Sequence, residues 1–234
     1  MFSTILWDID GTLLDFNAAE RFAIRTLFAK YGLGECTDAM LARYSQINVS
    51  YWERLERKEL SKPEILLSRF RDFFTEYGID TSIVASFNDE YQVRLGDTIT
   101  FRDNSYEIVK SLRGRVKQYI VSNGTVAAQT NKLKNSGLGA LIDGVFLSEE
   151  VGYEKPDVRF FEKVFSEIDE KDKSKILIVG DSLTSDMQGG VWASLATCWY
   201  NPSGSSLREG LNLGKGLDYQ IRDLHEIYGI LGLS

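Results

Sequence analysis

The stretch Leu6-Trp7-Asp8-Ile9-Asp10-Gly11-Thr12-Leu13-Leu14 indicates how the rest of the chain is organised. The apolar run 2–7 is typical of a buried strand in a parallel sheet, and it stops at two carboxylates. Because side chains alternate along a strand, Asp8 and Asp10 are expected on the same side. Two such carboxylates repel each other unless a cation lies between them or one holds a proton. The stretch therefore predicts a site for a hard metal such as Mg²⁺, which prefers oxygen ligands.

Two other structures begin with the same residues: the calcium loop of an EF-hand, and a plain acidic turn after a strand. The calcium loop needs Gly at its sixth position and Glu at its twelfth. Counted from Asp8, those positions hold Leu13 and Ala19, so the calcium loop is excluded. The acidic turn stays open on this stretch alone.

Composition and charge limit the function classes. Of the 234 residues, 43% are hydrophobic and 26% are charged, as is typical of globular proteins. A formal net charge of −7 without a long basic run disfavours binding to a nucleic-acid polymer or an anionic membrane. No apolar stretch is long enough to span a membrane. Cys36 and Cys198, with no signal peptide, predict free thiols and a cytoplasmic protein. The many aromatic residues permit a homodimer but do not require one, so a monomer or a homodimer is expected.

The order of predicted elements indicates an α/β fold with a helical insert. Helical patterns, without a convincing strand, fill the first part of the chain at 17–31, 40–50, 51–58, 63–77 and 82–95. Strands and helices then alternate, which predicts parallel βαβ units in a three-layer sheet. The strands are 116–121, 144–147, 176–179 and 197–200, the helices are 106–112, 127–135, 156–168 and one running on to 195, and a Gly- and Ser-rich loop at 202–216 precedes a last strand and helix within 219–231.

Further polar motifs lie where these strands end or the next helices start. Ser122-Asn123-Gly124 offers a hydroxyl and free backbone N–H groups to an oxyanion, although the same residues are common in turns. Lys155-Pro156 opens a predicted helix with Pro156 as its first residue, and Lys155 can offer a compact positive charge to a phosphoryl group or simply be solvated.

Gly180-Asp181-Ser182 brings another carboxylate to a strand end, and Asp186 follows in the first turn of the next helix. Asp181 can complete an oxygen shell for Mg²⁺. Asp186 can support that shell from behind or merely complement the helix dipole. Since ligands of open parallel sheets lie at the carboxyl ends of the strands, all these motifs are expected to meet there.

In these motifs, taken in order, the chain resembles the haloacid dehalogenase-like hydrolase superfamily: Asp8-Ile9-Asp10-Gly11-Thr12, Ser122-Asn123-Gly124, Lys155-Pro156, and Gly180-Asp181-Ser182 with Asp186. The resemblance covers nearly the whole chain. It implies a Rossmann-like three-layer parallel sheet core, residues 1–14 and 96–234, with an inserted helical cap domain, residues 15–95. It also implies a Mg²⁺-dependent hydrolase of small phosphorylated substrates.

The resemblance implies a role for each matching residue. Asp8 would be the nucleophile that forms an aspartyl-phosphate, and Asp10 the general acid and then the base. Lys155 would steady the nucleophile and the phosphate. The phosphoryl group would be bound by the Ser122 side chain and the Asn123 backbone. Mg²⁺ would be held by Asp8, the Asp10 carbonyl and Asp181, with Asp186 behind them.

A looser resemblance points to the substrate. Gln46-Ile47-Asn48 with Trp52, together with 148–152 and 195–199, resembles the pyrimidine 5′-nucleotidase subgroup. This implies that Trp52 or Tyr51 stacks on a base and that Asn48 hydrogen-bonds it. The alternative is that these aromatic residues only pack the cap.

Other reaction classes stay open to different degrees. A sugar phosphatase or a phosphomutase would carry the same core motifs. A dehalogenase is disfavoured, because displacing a halide leaves no alkoxide for Asp10 to protonate. His225, near the C-terminus in the last predicted helix, is the only histidine, so histidine-based phosphoryl transfer is disfavoured. A phosphate-binding protein without turnover is the remaining, non-enzymatic alternative.

Overall fold

Six parallel strands form one sheet in the computed structural model, which describes residues 1–207, 213 and 216–233. Their order across the sheet is β3-β2-β1-β4-β5-β6, and every adjacent pair is parallel. The predicted parallel α/β fold is therefore confirmed. Part of the loop predicted at 202–216 lies outside the described residues. The strands are β1 (Thr4–Trp7), β2 (Lys117–Ser122), β3 (Gly144–Leu147), β4 (Ile176–Gly180), β5 (Ala196–Tyr200) and β6 (Tyr219–Ile221).

The register of β1 explains why it organises the site. It pairs with β2 on one side and β4 on the other, so that Trp7 lies opposite Ile120 and Val179. The strand is buried along its length, and the Asp8 N–H still donates to the Val179 carbonyl at 2.9 Å. The residues that follow these three strands therefore emerge at one edge of the sheet.

Helices connect the strands and form a separate block before β2. They are α1 (Phe16–Tyr31), α2 (Asp38–Glu56), α3 (Lys62–Glu76), α4 (Val84–Arg94), α5 (Ser105–Leu112), α6 (Val126–Ser136), α7 (Ser148–Val151), α8 (Val158–Glu167), α9 (Gln188–Trp192) and α10 (Ile227–Leu231).

Some predicted helix boundaries are wrong. The segments 40–50 and 51–58 form the single helix α2, since Ile47, Tyr51 and Leu55 continue one buried face without a break. The helix expected from Pro156 begins only at Val158, because the Asp157 carboxylate caps it by accepting from the Arg159 N–H at 3.0 Å.

The last predicted helices also differ from the structure. The segment after Ser182 begins as a π-helix, Leu183–Met187, and continues as α9. His225 lies in a 3₁₀ turn, Leu224–Glu226, before α10, and it does not line the cavity described below.

Three hydrophobic clusters account for the layers. Along β1, Ile5 and Trp7 pack into one cluster and Leu6 into another, as expected for a sheet buried on both faces. The third cluster belongs to α1–α4, where aromatic rings such as those of Tyr44 and Phe70, stacked at 4.8 Å, fill the interior. We call residues 15–95 the helical block.

Two adjacent segments join the helical block to the sheet. The Asp15 N–H donates to the Thr100 carbonyl at 2.8 Å, and Leu14 bridges Phe101. The first of these segments follows Asp8-Ile9-Asp10 directly in the chain, and the second lies beside it. The helical block is therefore attached to the sheet next to the predicted site.

Both predicted free cysteines are free and buried. Among the helices of the described residues, none combines the length and the apolar character needed to cross a membrane.

Candidate active site

A cavity of about 590 Å³ lies between the carboxyl edge of the sheet and helix α2. Open parallel sheets bind ligands at this edge, and the volume is that of a small-molecule pocket. With the exception of Tyr51, the structure brings the predicted site residues to the lining of this one cavity: Asp8, Asp10, Asn48, Trp52, Ser122, Asn123, Lys155, Asp181 and Asp186.

The centre of the cavity is a buried ammonium between two carboxylates. The Lys155 Nζ donates to Asp8 Oδ1 at 2.9 Å, to Asp186 Oδ1 at 2.7 Å and to the Val121 carbonyl at 2.7 Å. Lys155 is 1% exposed. All three hydrogens of the ammonium group are therefore used, and its position is fixed.

The charges in this centre shift each other's protonation. Burial alone would lower the pKa of Lys155, but the carboxylates of Asp186 and Asp8 outweigh it and raise that pKa, so Lys155 stays charged. For Asp8, burial raises the pKa, and the nearby charges of Asp186 and Asp10 add to the rise against the lowering effect of Lys155. Asp8 therefore needs more positive charge than Lys155 supplies in order to stay ionised.

A third carboxylate adds to this shortage of positive charge. One oxygen from each of Asp8, Asp181 and Asp186 lies within 4.8 Å of the others. Asp181 is exposed at the cavity, yet close packing around its carboxylate and the charges of Asp8 and Asp186 raise its pKa well above the usual range. Three hard oxygen donors with one ammonium are a set that suits Mg²⁺.

Gly11 permits the close approach of the two motifs. Its φ is +94°, and a Cβ at this position would collide with the Asp181 carboxylate. Thr12 lies in the same turn, and its hydroxyl donates to Asp8 Oδ2 at 3.3 Å and lies 3.4 Å from Asp181 Oδ1. Glycine is therefore required here on two counts, backbone conformation and space.

Asp10 lies in this turn, but its carboxylate does not join the acidic group. Its Oδ2 accepts from Gln129 Nε2 at 2.5 Å, and its Oδ1 is bound by the buried ammonium of Lys132. Asp8 and Asp10 both line the cavity, as expected for one side of the sheet edge, but β1 ends at Trp7, and after it the Asp10 carboxylate finds its partners on α6 and not in the acidic group. Gln129 and Lys132, on α6, are site residues that the sequence analysis missed.

Asp186 takes the place that was expected for Asp10 in the acidic group. Its second oxygen accepts from the Ser182 N–H at 3.1 Å. The π-helical turn that carries it is a rare local geometry, one that often occurs at functional sites.

Ser122 and Asn123 lie at the end of β2, as predicted. The Ser122 hydroxyl accepts from the Gly124 N–H at 3.0 Å. The Asn123 side chain holds the backbone on both sides of Lys155: it donates to the Lys155 carbonyl and accepts from the Lys155 N–H, each at 2.8 Å. Asn123 thus positions Lys155 through its side chain, a contact that the sequence did not reveal.

The predicted base-contacting residues of α2 differ in their surroundings. Trp52 is half-buried and lines the cavity. Tyr51 points away from it, and its hydroxyl donates to Asp72 at 2.6 Å. Asn48 is 2% exposed, and its amide is bound to Glu20 at 2.8 Å and to Arg69 at 2.7 Å. These two bonds use one amide hydrogen and one lone pair of the Asn48 oxygen, so the amide keeps one further donor and one further acceptor position.

The family described as haloacid dehalogenase-like hydrolase matches residues 2–194. The chain belongs to this family. Over all 234 residues, it is 34% identical to the HAD-hydrolase YfnB of Bacillus subtilis, covering 100% of this chain and 97% of YfnB. The predicted membership in the superfamily is therefore confirmed.

Two further similarities concern a structure and a named activity. A crystal structure of YfnB bound to magnesium superimposes with a TM-score of 0.90, at 34% identity and 99% coverage of both chains. The pyrimidine 5′-nucleotidase PynA of Streptococcus pneumoniae is 38% identical over 201 residues, which cover 85% of this chain and 83% of PynA.

Proposed function

We propose that this hydrolase is a Mg²⁺-dependent phosphatase that cleaves phosphomonoesters through an aspartyl-phosphate on Asp8, and that its substrates are pyrimidine nucleoside 5′-monophosphates. The observation that carries the proposal is the buried Lys155 ammonium held between Asp8 and Asp186, beside the third carboxylate of Asp181. A fixed cation next to a buried carboxylate suits attack on an anionic phosphoryl group.

In the first step, an Asp8 oxygen attacks phosphorus while the bond to the leaving alcohol breaks. Lys155 lies 2.9 Å from Asp8 Oδ1, so it can neutralise both the nucleophile and an incoming phosphoryl oxygen. Ser122 and Asn123 line the cavity at the end of β2, where the Ser122 hydroxyl and the Asn123 backbone N–H would bind the other phosphoryl oxygens. This division into two steps compensates for the weak nucleophilicity of a carboxylate.

Asp10 handles the proton in both steps. It donates a proton to the leaving alcohol, and as a carboxylate it then takes one from the water that attacks the aspartyl-phosphate, which releases phosphate and restores Asp8. Gln129 and Lys132 hold its carboxylate in this structure. Asp10 therefore has to turn from α6 toward the leaving oxygen in order to act.

Mg²⁺ fits the site because the cluster is short of positive charge and offers hard oxygen donors. Asp8, Asp181 and the Asp10 carbonyl would hold it, while Asp186 is engaged with Lys155 and the Ser182 N–H. When bound, the ion supplies additional positive charge for the phosphoryl oxygens.

The helical block would act as the cap that selects the leaving group and excludes water. Its helix α2 forms the cavity wall opposite the sheet edge, with the Trp52 ring available to stack on a base. The similarity to PynA supports a pyrimidine nucleotide as the substrate.

The test is phosphate release with Mg²⁺ from nucleoside monophosphates, sugar phosphates and small phosphoacids, with Asp8→Asn as the blank. We expect the fastest release from UMP, dUMP or dTMP, and a loss of about 10⁴-fold or more in Asp8→Asn, because the nucleophile is gone. Preference for a sugar phosphate would overturn the nucleotide assignment. Undiminished activity in Asp8→Asn would remove Asp8 as the nucleophile, and no release from any substrate would favour a phosphomutase or a binding protein.

A further inference from the structure

Glu56, the last residue of α2, is a cavity residue that the proposed reaction does not use. It lies one turn beyond Trp52 and two beyond Asn48, so the three residues form one stripe along the helix, and all three line the cavity. The stripe brings an amide, an aromatic ring and a carboxylate to the wall opposite the catalytic carboxylates.

The protein itself opposes a charge at this position. Burial raises the pKa of Glu56 to about 7, and the negative charges of Asp186 and Glu53 raise it further. A hydrogen bond with the Thr184 side chain and the positive charge of Lys155 oppose this rise. The carboxyl end of a helix also disfavours a negative charge, since the helix dipole is negative there. Replacing Glu56 by a neutral residue would therefore be expected to stabilise the fold.

One oxygen of Glu56 is also left without a partner. Its Oε2 is buried, and no residue that the structure describes donates a hydrogen bond to it. A buried acceptor without a donor is costly, and such atoms are rare in folded proteins. Because this oxygen is itself covered, the Glu56 carboxylate has to turn toward the cavity that the residue lines in order to meet a donor from outside the chain.

We propose that Glu56 selects the leaving group of the substrate: it accepts a hydrogen bond from an N–H or O–H of an uncharged leaving group and repels leaving groups that carry a second anionic group. The inference rests on the proposed phosphatase function and narrows its substrate class. A nucleoside is such an uncharged leaving group, with donors on both the sugar and the base. A carboxylate-bearing alcohol such as glycolate is the opposite case.

The experiment compares kcat/KM for dUMP, ribose 5-phosphate and 2-phosphoglycolate in the wild type, in Glu56→Gln and in the matched control Glu59→Gln. Glu59 lies three residues further along, in exposed ion pairs with Arg57 and Arg54 and away from the catalytic cavity. At pH 8, above the pKa of Glu56, we expect Glu56→Gln to lose about 10-fold on dUMP, mainly through KM, because a charge-assisted hydrogen bond becomes a neutral one. Activity on 2-phosphoglycolate should rise about 5-fold as the repulsion disappears.

Thermal unfolding separates this role from a structural one. We expect the melting temperature of Glu56→Gln to be unchanged or higher than that of the wild type, and Glu59→Gln to keep the wild-type substrate ratio. The proposal is overturned if Glu56→Gln lowers all three substrates by one factor, or if it only raises the Mg²⁺ concentration needed for half-maximal activity.

Failure of the function and failure of the inference give different results. If the wild type releases phosphate from none of the three substrates and from no other member of the panel of nucleoside monophosphates, sugar phosphates and small phosphoacids, the phosphatase function itself is overturned. If it prefers ribose 5-phosphate to dUMP, only the nucleotide assignment fails, and the ratio of ribose 5-phosphate to 2-phosphoglycolate still tests Glu56. An active Glu56→Gln enzyme with the wild-type ratio of neutral to anionic substrates overturns the role of Glu56 alone.

Discussion

Two clusters of buried charge in the described part of the chain differ in how well their charges are balanced. In the helical block, the Arg69 guanidinium donates to Asn48 at 2.7 Å and to Asn88 at 3.3 Å, and the Asn48 amide passes on to Glu20 at 2.8 Å. Ser45 and Tyr91 also bind the Glu20 carboxylate. At the sheet edge, the Lys155 ammonium pairs with Asp8 and Asp186, and a third carboxylate, that of Asp181, has an oxygen within 4.8 Å of theirs.

The difference indicates what each cluster is for. The network around Arg69 is closed: one cation, one carboxylate and neutral amides between them satisfy one another inside the helical block. The sheet-edge cluster is open, because its excess of negative charge faces a cavity. A buried charge that the protein does not neutralise is costly, so it points to a ligand that does.

The largest effect is expected for a substitution in the open cluster. Lys155→Met removes the cation that holds Asp8, and we expect kcat to fall about 10³-fold or more, since both the nucleophile and the phosphoryl group lose their fixed positive charge. Phosphate release at a temperature below unfolding measures it. The control is Lys117→Met, which breaks an exposed pair with Asp143 and should leave kcat unchanged. Near-wild-type turnover in Lys155→Met would contradict the assignment of the cluster.

The next prediction breaks the closed network instead. Arg69→Met leaves Glu20 and Asn48 buried without their cation, which we expect to lower the free energy of unfolding by about 3–5 kcal/mol. Denaturant unfolding measures the loss. Arg43→Met, which removes an exposed pair with Glu76, is the control and should cost at most about 1 kcal/mol. Equal losses in the two variants would show that the buried network does not stabilise the helical block.

The smallest expected effect is the stabilisation by Mg²⁺, which should depend on the open cluster and not on the closed network. Mg²⁺ at about 100 times its dissociation constant adds about 2.7 kcal/mol of stability if it binds only the folded chain. In a chain of this size, each kcal/mol of added stability raises the melting temperature by roughly 2–4 °C. We expect the shift in the wild type and in Arg69→Met, but not in Asp181→Asn. A full shift in Asp181→Asn would place the ion elsewhere.

The sequence predicted which residues meet at the cavity where those residues follow the ends of strands. Asp8, Ser122 and Asp181 come directly at or after the ends of adjacent parallel strands, so the local pattern and the sheet rule together bring them to one cavity. Their meeting does not depend on loop details.

The sequence predicted less where a side chain has to choose a partner. Asp10 follows the strand by only a few residues, yet the turn at Gly11 sends its carboxylate to Lys132 on α6. Asn48, expected to hydrogen-bond a base, lines the cavity but is also bound to Glu20 and Arg69 within the helical block. In both cases the side chain that binds the residue comes from a helix distant in sequence, and the local sequence pattern does not predict that contact.

The sequence by itself determined the parallel fold, the helical insertion and the order of the polar strand ends, because hydrophobic periodicity and the types of residue at strand ends are local properties. Only the tertiary structure decided that Asp186 rather than the Asp10 carboxylate completes the acidic group, and that Glu56 is left facing the cavity. Those outcomes depend on which charged side chains from distant elements lie close enough to pair, and the packing of the helices against the sheet determines those distances.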